Sequence, residues 1–131
     1  MGFVRGNTLP ILKEHRIRPF SGHCLCLGQA DVYFTYDHLQ RMARIAEVQL
    51  VSNVAITRSY RADFAAKNYI SRDTFFKSVG FNEVSALDYS KFEGAEFQFD
   101  LNSSSLPSDL QNRFDVVVNH GTIEHIFHIP N

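Results

Sequence analysis

Two spacings of apolar residues alternate along this chain. Leu39, Met42, Ala43 and Ala46 recur at helical spacing, which predicts a helix over Asp37–Val48 with Asp37 able to cap its start. A second helix is predicted over Arg58–Tyr69, with Phe64 and Ala65 turned inward. A third begins after Ser71, whose hydroxyl can accept an early backbone N–H. It runs through Phe75, Phe76 and Val79 and stops at Gly80, which tolerates a left-handed turn. Ahead of these, His23–Gly28 is a short apolar run ending in Gly, the signature of a buried strand. Residues 1–22 are polar and interrupted by Pro10, Pro19 and Gly22. They read as an N-terminal extension with a short helix around Ile11–Arg16.

After Gly80 the runs shorten. Glu83–Asp88, Glu96–Asp100 and Phe114–Asn119 each read as a strand ending in a polar residue. The β-branched run in Phe114–Asn119 suits a parallel strand covered on both faces. Asn102–Arg113 is turn-rich around Pro107, with a short helix expected at Ser108–Asn112, and Thr122 has the look of a helix start. Strands alternating with helices predict an α/β fold with a mostly parallel sheet flanked by helices. Right-handed crossovers would make it doubly wound.

Composition narrows the class. A chain of 131 residues, 44% hydrophobic and 21% charged, is an ordinary globular domain and no more than one. Net charge is −1, but residues 1–81 hold eleven Lys/Arg against six Asp/Glu, and residues 82–131 hold two against eight. The basic residues are scattered, without a run or an aromatic-basic motif, so they read as solvated helix faces and no nucleic-acid partner is expected. Cys24 and Cys26 are the only cysteines and read as apolar fillers of the first strand. No leader-like segment and no apolar run near 18 residues occurs, which predicts a cytoplasmic protein without a membrane partner.

In open α/β sheets ligands bind beyond the carboxyl ends of the strands. The residues in that position are Gly28, Gln29, Ala30 and Asp31; Asp88 and Tyr89; Asp100 and Leu101; and Asn119 to Thr122, including Gly121. Their chemistry suits a nucleoside. Gly28 lets a ligand approach the backbone, a carboxylate after the second strand accepts ribose hydroxyls, and one after the third accepts from an exocyclic amine.

The segment Phe81 to Ile126, FNEVSALDYSKFEGAEFQFDLNSSSLPSDLQNRFDVVVNHGTIEHI, resembles the middle of a class I S-adenosylmethionine-dependent methyltransferase. The resemblance covers about the last 50 residues well and the Cys24–Asp31 strand and loop in part. It implies a Rossmann-like sheet of order 3-2-1-4, incomplete here, within a cofactor-binding portion spanning residues 23–131. It further implies that S-adenosyl-L-methionine binds with Asp88 and Tyr89 at the ribose and Asp100-Leu101 at the adenine. Gly28, Gln29 and the following loop would face the methionine portion, and Asn119 and Gly121 would flank the sulfonium. The expected function is methyl transfer to an unidentified acceptor.

The first loop departs from the family's acid-x-Gly-x-Gly-x-Gly, because Cys26 stands for the acid and Ala30 for the second Gly. Asp31 is a candidate to replace the missing carboxylate. The alternative function is a catalytically inactive, nucleoside-binding relative. A dinucleotide-binding oxidoreductase would want Gly-x-Gly-x-x-Gly, and the single Gly28 argues against it. His120, Glu124, His125 and His128 form a rival, metal-binding set. On a helix from Thr122, Glu124 and His128 share a face while His125 points about 100° away, so no metal is expected. A histidine here is equally a candidate general base, and no residue is assigned as catalytic. Finally, Phe114–Asn119 is expected at the sheet edge, without Lys or Pro to blunt it. The chain is therefore expected to be a truncated domain or to form a homodimer through that strand, with little transferase activity alone.

Overall fold

The computed structural model describes residues 2–127. In chain order the elements are β1 (Gly2–Phe3), α1 (Arg5–Ile17), β2 (His23–Leu27), β3 (Asp31–Val32) and α2 (Tyr36–Ala46). They continue with α3 (Ala62–Ala65), α4 (Arg72–Val79), β4 (Glu83–Asp88), β5 (Phe97–Gln98) and β6 (Val116–Asn119). Single 3-10 turns cover Ser108–Leu110 and Ile123–His125. The main sheet has the order β5-β4-β2-β6 and every pairing in it is parallel. β1 and β3 form a second, two-stranded parallel ladder. The protein is thus an α/β fold with helices flanking a parallel sheet. Among the described residues, no helix is long and apolar enough to cross a membrane.

The alternation of side chains along β2 explains its central place. Cys24 and Cys26 point to one face, where they meet Val84 and Ala86 of β4, Leu12 of α1, Leu39 and Met42 of α2 and Phe75, Phe76 and Val79 of α4. Leu25 points to the other, against Leu87 and Leu110. A hydrogen bond with Cys24 and then burial push the Cys26 thiol far above its ordinary value, and both cysteines are buried and free.

The stretch read as an N-terminal extension contributes to this core. Phe3 has no exposed area, and its ring lies 5.4 Å from those of both Phe75 and Phe76. Removing such a ring costs about 3–5 kcal/mol. The helix expected around Ile11–Arg16 begins instead at Arg5, its first turn held by the Val4 N–H donating to Asn7 Oδ1 at 2.8 Å.

Other differences have local causes. α2 starts one residue before Asp37 because Thr35 is its cap, accepting the His38 N–H at 3.3 Å. α4 follows the sequence closely: Ser71 Oγ accepts the Thr74 N–H at 3.0 Å, and Gly80 closes the helix at φ +126°. The helix over Arg58–Tyr69 shrinks to Ala62–Ala65. Arg58 bridges Ile70 antiparallel, the Ser59 N–H donates to the Tyr69 carbonyl, and Asn68 turns the chain at φ +57°. A hairpin-like return has taken the place of a helix.

The connection from β4 to β5 needs no helix. β5 pairs only with the last two residues of β4, Leu87 with Phe97 and Asp88 with Gln98, so the chain climbs back only a short way. One residue earlier, the Ala86 N–H donates to Glu96 Oε2 at 2.6 Å, so a side chain replaces the missing strand partner.

Candidate functional site

The carboxyl ends of β2, β4 and β6 are tied to one another by three bonds. The Gly28 N–H donates to the Leu87 carbonyl at 2.7 Å, and the Gln29 N–H to Asp88 Oδ2 at 3.4 Å. The Thr122 hydroxyl donates to the Leu27 carbonyl at 2.7 Å. Gly28 sits at φ +82°, in the left-handed region that favours glycine.

Two adjoining hollows lie over these ends. The larger, about 230 Å³, is bounded by the apolar Leu87, Phe99, Leu101 and Ile126 and the polar Asp88, Asp100, Asn102 and His125. The smaller, about 120 Å³, is bounded by Gly28, Gln29, Glu93, His120 and Gly121, and again by Asp88. Asp88 and Thr122 belong to both, so the carboxylate stands at the junction. Together the hollows reach the lower end of the about 300–1,000 Å³ usual for small-molecule sites.

Asp88 keeps acceptor capacity. Its protein partners, the Gln29 and Ser90 N–H groups, are both long at 3.4 Å, and a carboxylate has about four lone-pair sites. Asp100 Oδ1 accepts from the Asn102 backbone and side chain at 2.9 and 3.1 Å, which holds the loop over the larger hollow. Among the described residues no Lys or Arg lines the smaller hollow, whereas Asp88 and Glu93 both do.

Of the residues expected at a site, Gly28, Gln29, Asp88, Tyr89, Asp100, Leu101 and Gly121 therefore come together around these hollows. Asp31 and Asn119 line neither. Asp31 belongs to β3, is buried, and meets Arg61 at 3.2 Å through Oδ2, so it does not stand in for the carboxylate absent at Cys26. Asn119 Oδ1 accepts the N–H groups of Thr122 and Ile123, both at 3.1 Å, and so shapes the turn without facing the hollows.

The histidines are separated. His120 borders the smaller hollow with its ring stacked on Phe3 at 4.1 Å, while His125 borders the larger one. His128 lies outside the described residues, among which no cluster of three metal-ligating side chains occurs.

Comparison with protein-family models, with curated proteins and with solved structures gives no match to this chain. The site is defined by its own geometry.

Sequence reasoning missed Phe99, Asn102, Glu93 and, above all, Arg72. This arginine is the first residue of α4 and is 8% exposed. Its guanidinium donates to Gln29 Oε1 at 2.7 Å, to Glu96 Oε1 at 2.9 Å and to Asp73 Oδ1 at 3.1 Å. Burial pushes the Glu96 carboxyl up, but the Arg72 bond and charge and the Ala86 N–H hold it below the ordinary carboxylate value. The only sequence signal for this network is a charged residue just inside a helix start that otherwise buries Phe75 and Phe76, and such a signal is weak.

Proposed function

We propose that the paired hollows bind S-adenosyl-L-methionine and that the protein belongs to the methyl-transfer machinery acting on an unidentified acceptor. The observation that carries this reading is the position of Asp88 at the junction of an apolar hollow and a small acidic one. A nucleoside has that division: a flat base on one side of a ribose diol, with the 5′ substituent on the other.

In this reading Asp88 accepts from the ribose hydroxyls, a charge-assisted pair of bonds. Phe99, Leu101 and Ile126 cover the base, and Asp100 accepts from its amine. Gly28, at φ +82°, turns the chain at the border of the smaller hollow. The cofactor supplies, when bound, a methyl group made electrophilic by a sulfonium. The chain's own part is to hold the two reactants in line and to keep Asp88 and Glu93 as the charges nearest a cation.

Strand order adds support. In the order β5-β4-β2-β6, all parallel, the strand that leads into Gly28 lies between the strand that ends in Asp88 and the strand that ends in Asn119. A dinucleotide is disfavoured on two grounds. Among the described residues the smaller hollow has two carboxylates and no cation for a pyrophosphate. The loop after β2 leads into β3 rather than into a helix N-terminus. A second reading, nucleoside binding without transfer, is favoured by Cys26, by Ala30 and by the engagement of Asp31 with Arg61.

Calorimetric titration with S-adenosyl-L-methionine, NAD and zinc separates these readings. Saturable binding of the first alone supports the proposal. Binding of NAD or zinc without the first contradicts it. Incorporation of labelled methyl into candidate acceptors then divides transferase from binding module.

A further inference from the structure

The smaller hollow depends on the loop after β2, whose Gly28 N–H is held by the Leu87 carbonyl at 2.7 Å. Gly28, at φ +82°, and Gln29 connect two strands of different sheets, and the Gln29 N–H makes only a long, 3.4 Å bond to Asp88. The contact that fixes Gln29 is made by its side chain. Its Oε1 accepts from Arg72 at 2.7 Å, the shortest bond Arg72 makes.

Arg72 is itself fixed from two sides. Its two terminal nitrogens face both oxygens of Glu96, at 3.4 and 2.9 Å, and Nε and one terminal nitrogen share Asp73 Oδ1 at 3.2 and 3.1 Å. Glu96 in turn accepts the Ala86 N–H of β4, two residues before Asp88. One planar guanidinium therefore joins the loop after β2 to the strand that carries Asp88. Lys, a point charge on a flexible stem, offers no such fork. A buried ion pair is weak evidence of net stabilisation, since desolvation offsets most of the attraction. Its better-founded consequence here is geometric: the distance between the Gln29 loop and Asp88 is set through Arg72.

We propose that Arg72 is a positioning residue for the nucleoside site, acting through Gln29 to hold the loop at the distance from Asp88 that the ligand needs. This rests on the nucleoside reading above and adds a residue that lines neither hollow. The same network borders a separate hollow of about 180 Å³ that Gln29, Ala30 and Arg72 all line and Asp88 does not, so loss of Arg72 leaves the loop room to shift.

The test is a double-mutant cycle read in affinity for S-adenosylhomocysteine, with thermal midpoints measured alongside. Arg72→Met and Gln29→Ala are each expected to raise Kd about tenfold, within the range of couplings between contacting residues. The double variant is expected to bind no more weakly than the weaker single one, because both remove one contact. A purely structural Arg72 lowers the thermal midpoint and leaves the Kd of the folded fraction alone, and that result overturns the proposal. Independent losses that multiply to about a hundredfold in the double variant also overturn it. Should Arg72→Met not fold, Gln29→Ala decides by itself, since it leaves the Arg72–Glu96 pair in place: wild-type affinity overturns the proposal. Absence of binding by the wild-type protein overturns the nucleoside reading and this inference with it. Wild-type binding with unaffected variants overturns this inference alone.

Discussion

The Thr122 hydroxyl occupies the space that a side chain on Gly28 would need: a Cβ built on Gly28 meets Thr122 Oγ1 at 2.7 Å. That hydroxyl is not free to leave, because it donates to the Leu27 carbonyl. Strand β2 and the turn after β6 are thus joined at the floor of the smaller hollow by a glycine and a threonine 94 positions apart in a chain of 131 residues.

Gly28→Ala therefore combines a left-handed backbone with a steric conflict. It is expected to destabilise the fold by about 1–3 kcal/mol, as strained φ/ψ positions do. Urea denaturation checks this, as a lower midpoint at unchanged slope. A midpoint equal to wild type would show that the turn relaxes without cost.

His15 gives the fold a pH dependence. Its Nδ1 accepts the Phe20 N–H at 2.9 Å, which requires the neutral ring, and burial lowers its pKa below the ordinary 6.5. The unfolded chain then binds the proton more readily than the fold, so stability falls as pH drops below about 6.5 and the loss levels off below the folded value. Thermal midpoints between pH 8 and 5 are expected to decline. His15→Ala is expected to remove that part of the slope while lowering the midpoint at pH 8. An unchanged slope in the variant would contradict the assignment to His15, because Glu96 acts only at lower pH. With its folded pKa depressed, Glu96 contributes stability above the ordinary carboxylate range, and that contribution is lost as pH falls through the folded value.

Among the described residues β6 lies at the edge of the sheet, paired with β2 alone. Val116 and Val118 pack on the core, whereas Val117 is 55% exposed on the opposite face. An unblunted apolar edge pairs with other strands. Light scattering over a dilution series is expected to show self-association that Val117→Lys suppresses. Equal, monomeric scattering from both proteins would contradict it.

How much of this was legible in the sequence depends on how local the signals are. β4 matches its expected span, and α4 its expected cap and stop, because a short run closed by an acid, a serine and a glycine decide them within a few residues. The helix that spacing predicts over Arg58–Tyr69 does not form in full because the fate of this segment is set by contacts that spacing does not show. The Arg58–Ile70 bridge and the hydroxyls of Thr57, Ser71 and Thr74, with Thr57 Oγ1 to Ser71 Oγ at 2.6 Å, hold it extended at both ends. Phe3 entered the core through β1, two residues too short to carry a period. Within the site, the strand-end rule brought Asp88, Asp100 and Gly28 together but also selected Asp31 and Asn119. The rule places a residue near the sheet's end without saying which way its side chain turns. Arg61 draws Asp31 away, and two turn N–H groups occupy Asn119.

The central claim is that Asp88 holds a ribose, and one comparison of affinities tests it. S-adenosylhomocysteine is titrated calorimetrically into the wild-type protein and into Asp88→Ala at pH 7. The account predicts saturable binding by wild type and a loss of about 1.5–3 kcal/mol in the variant, the range for hydrogen bonds to a charged group. The thermal midpoint should change little, since the two bonds that Asp88 makes within the protein are both 3.4 Å long. Equal affinity in the two proteins would contradict the account.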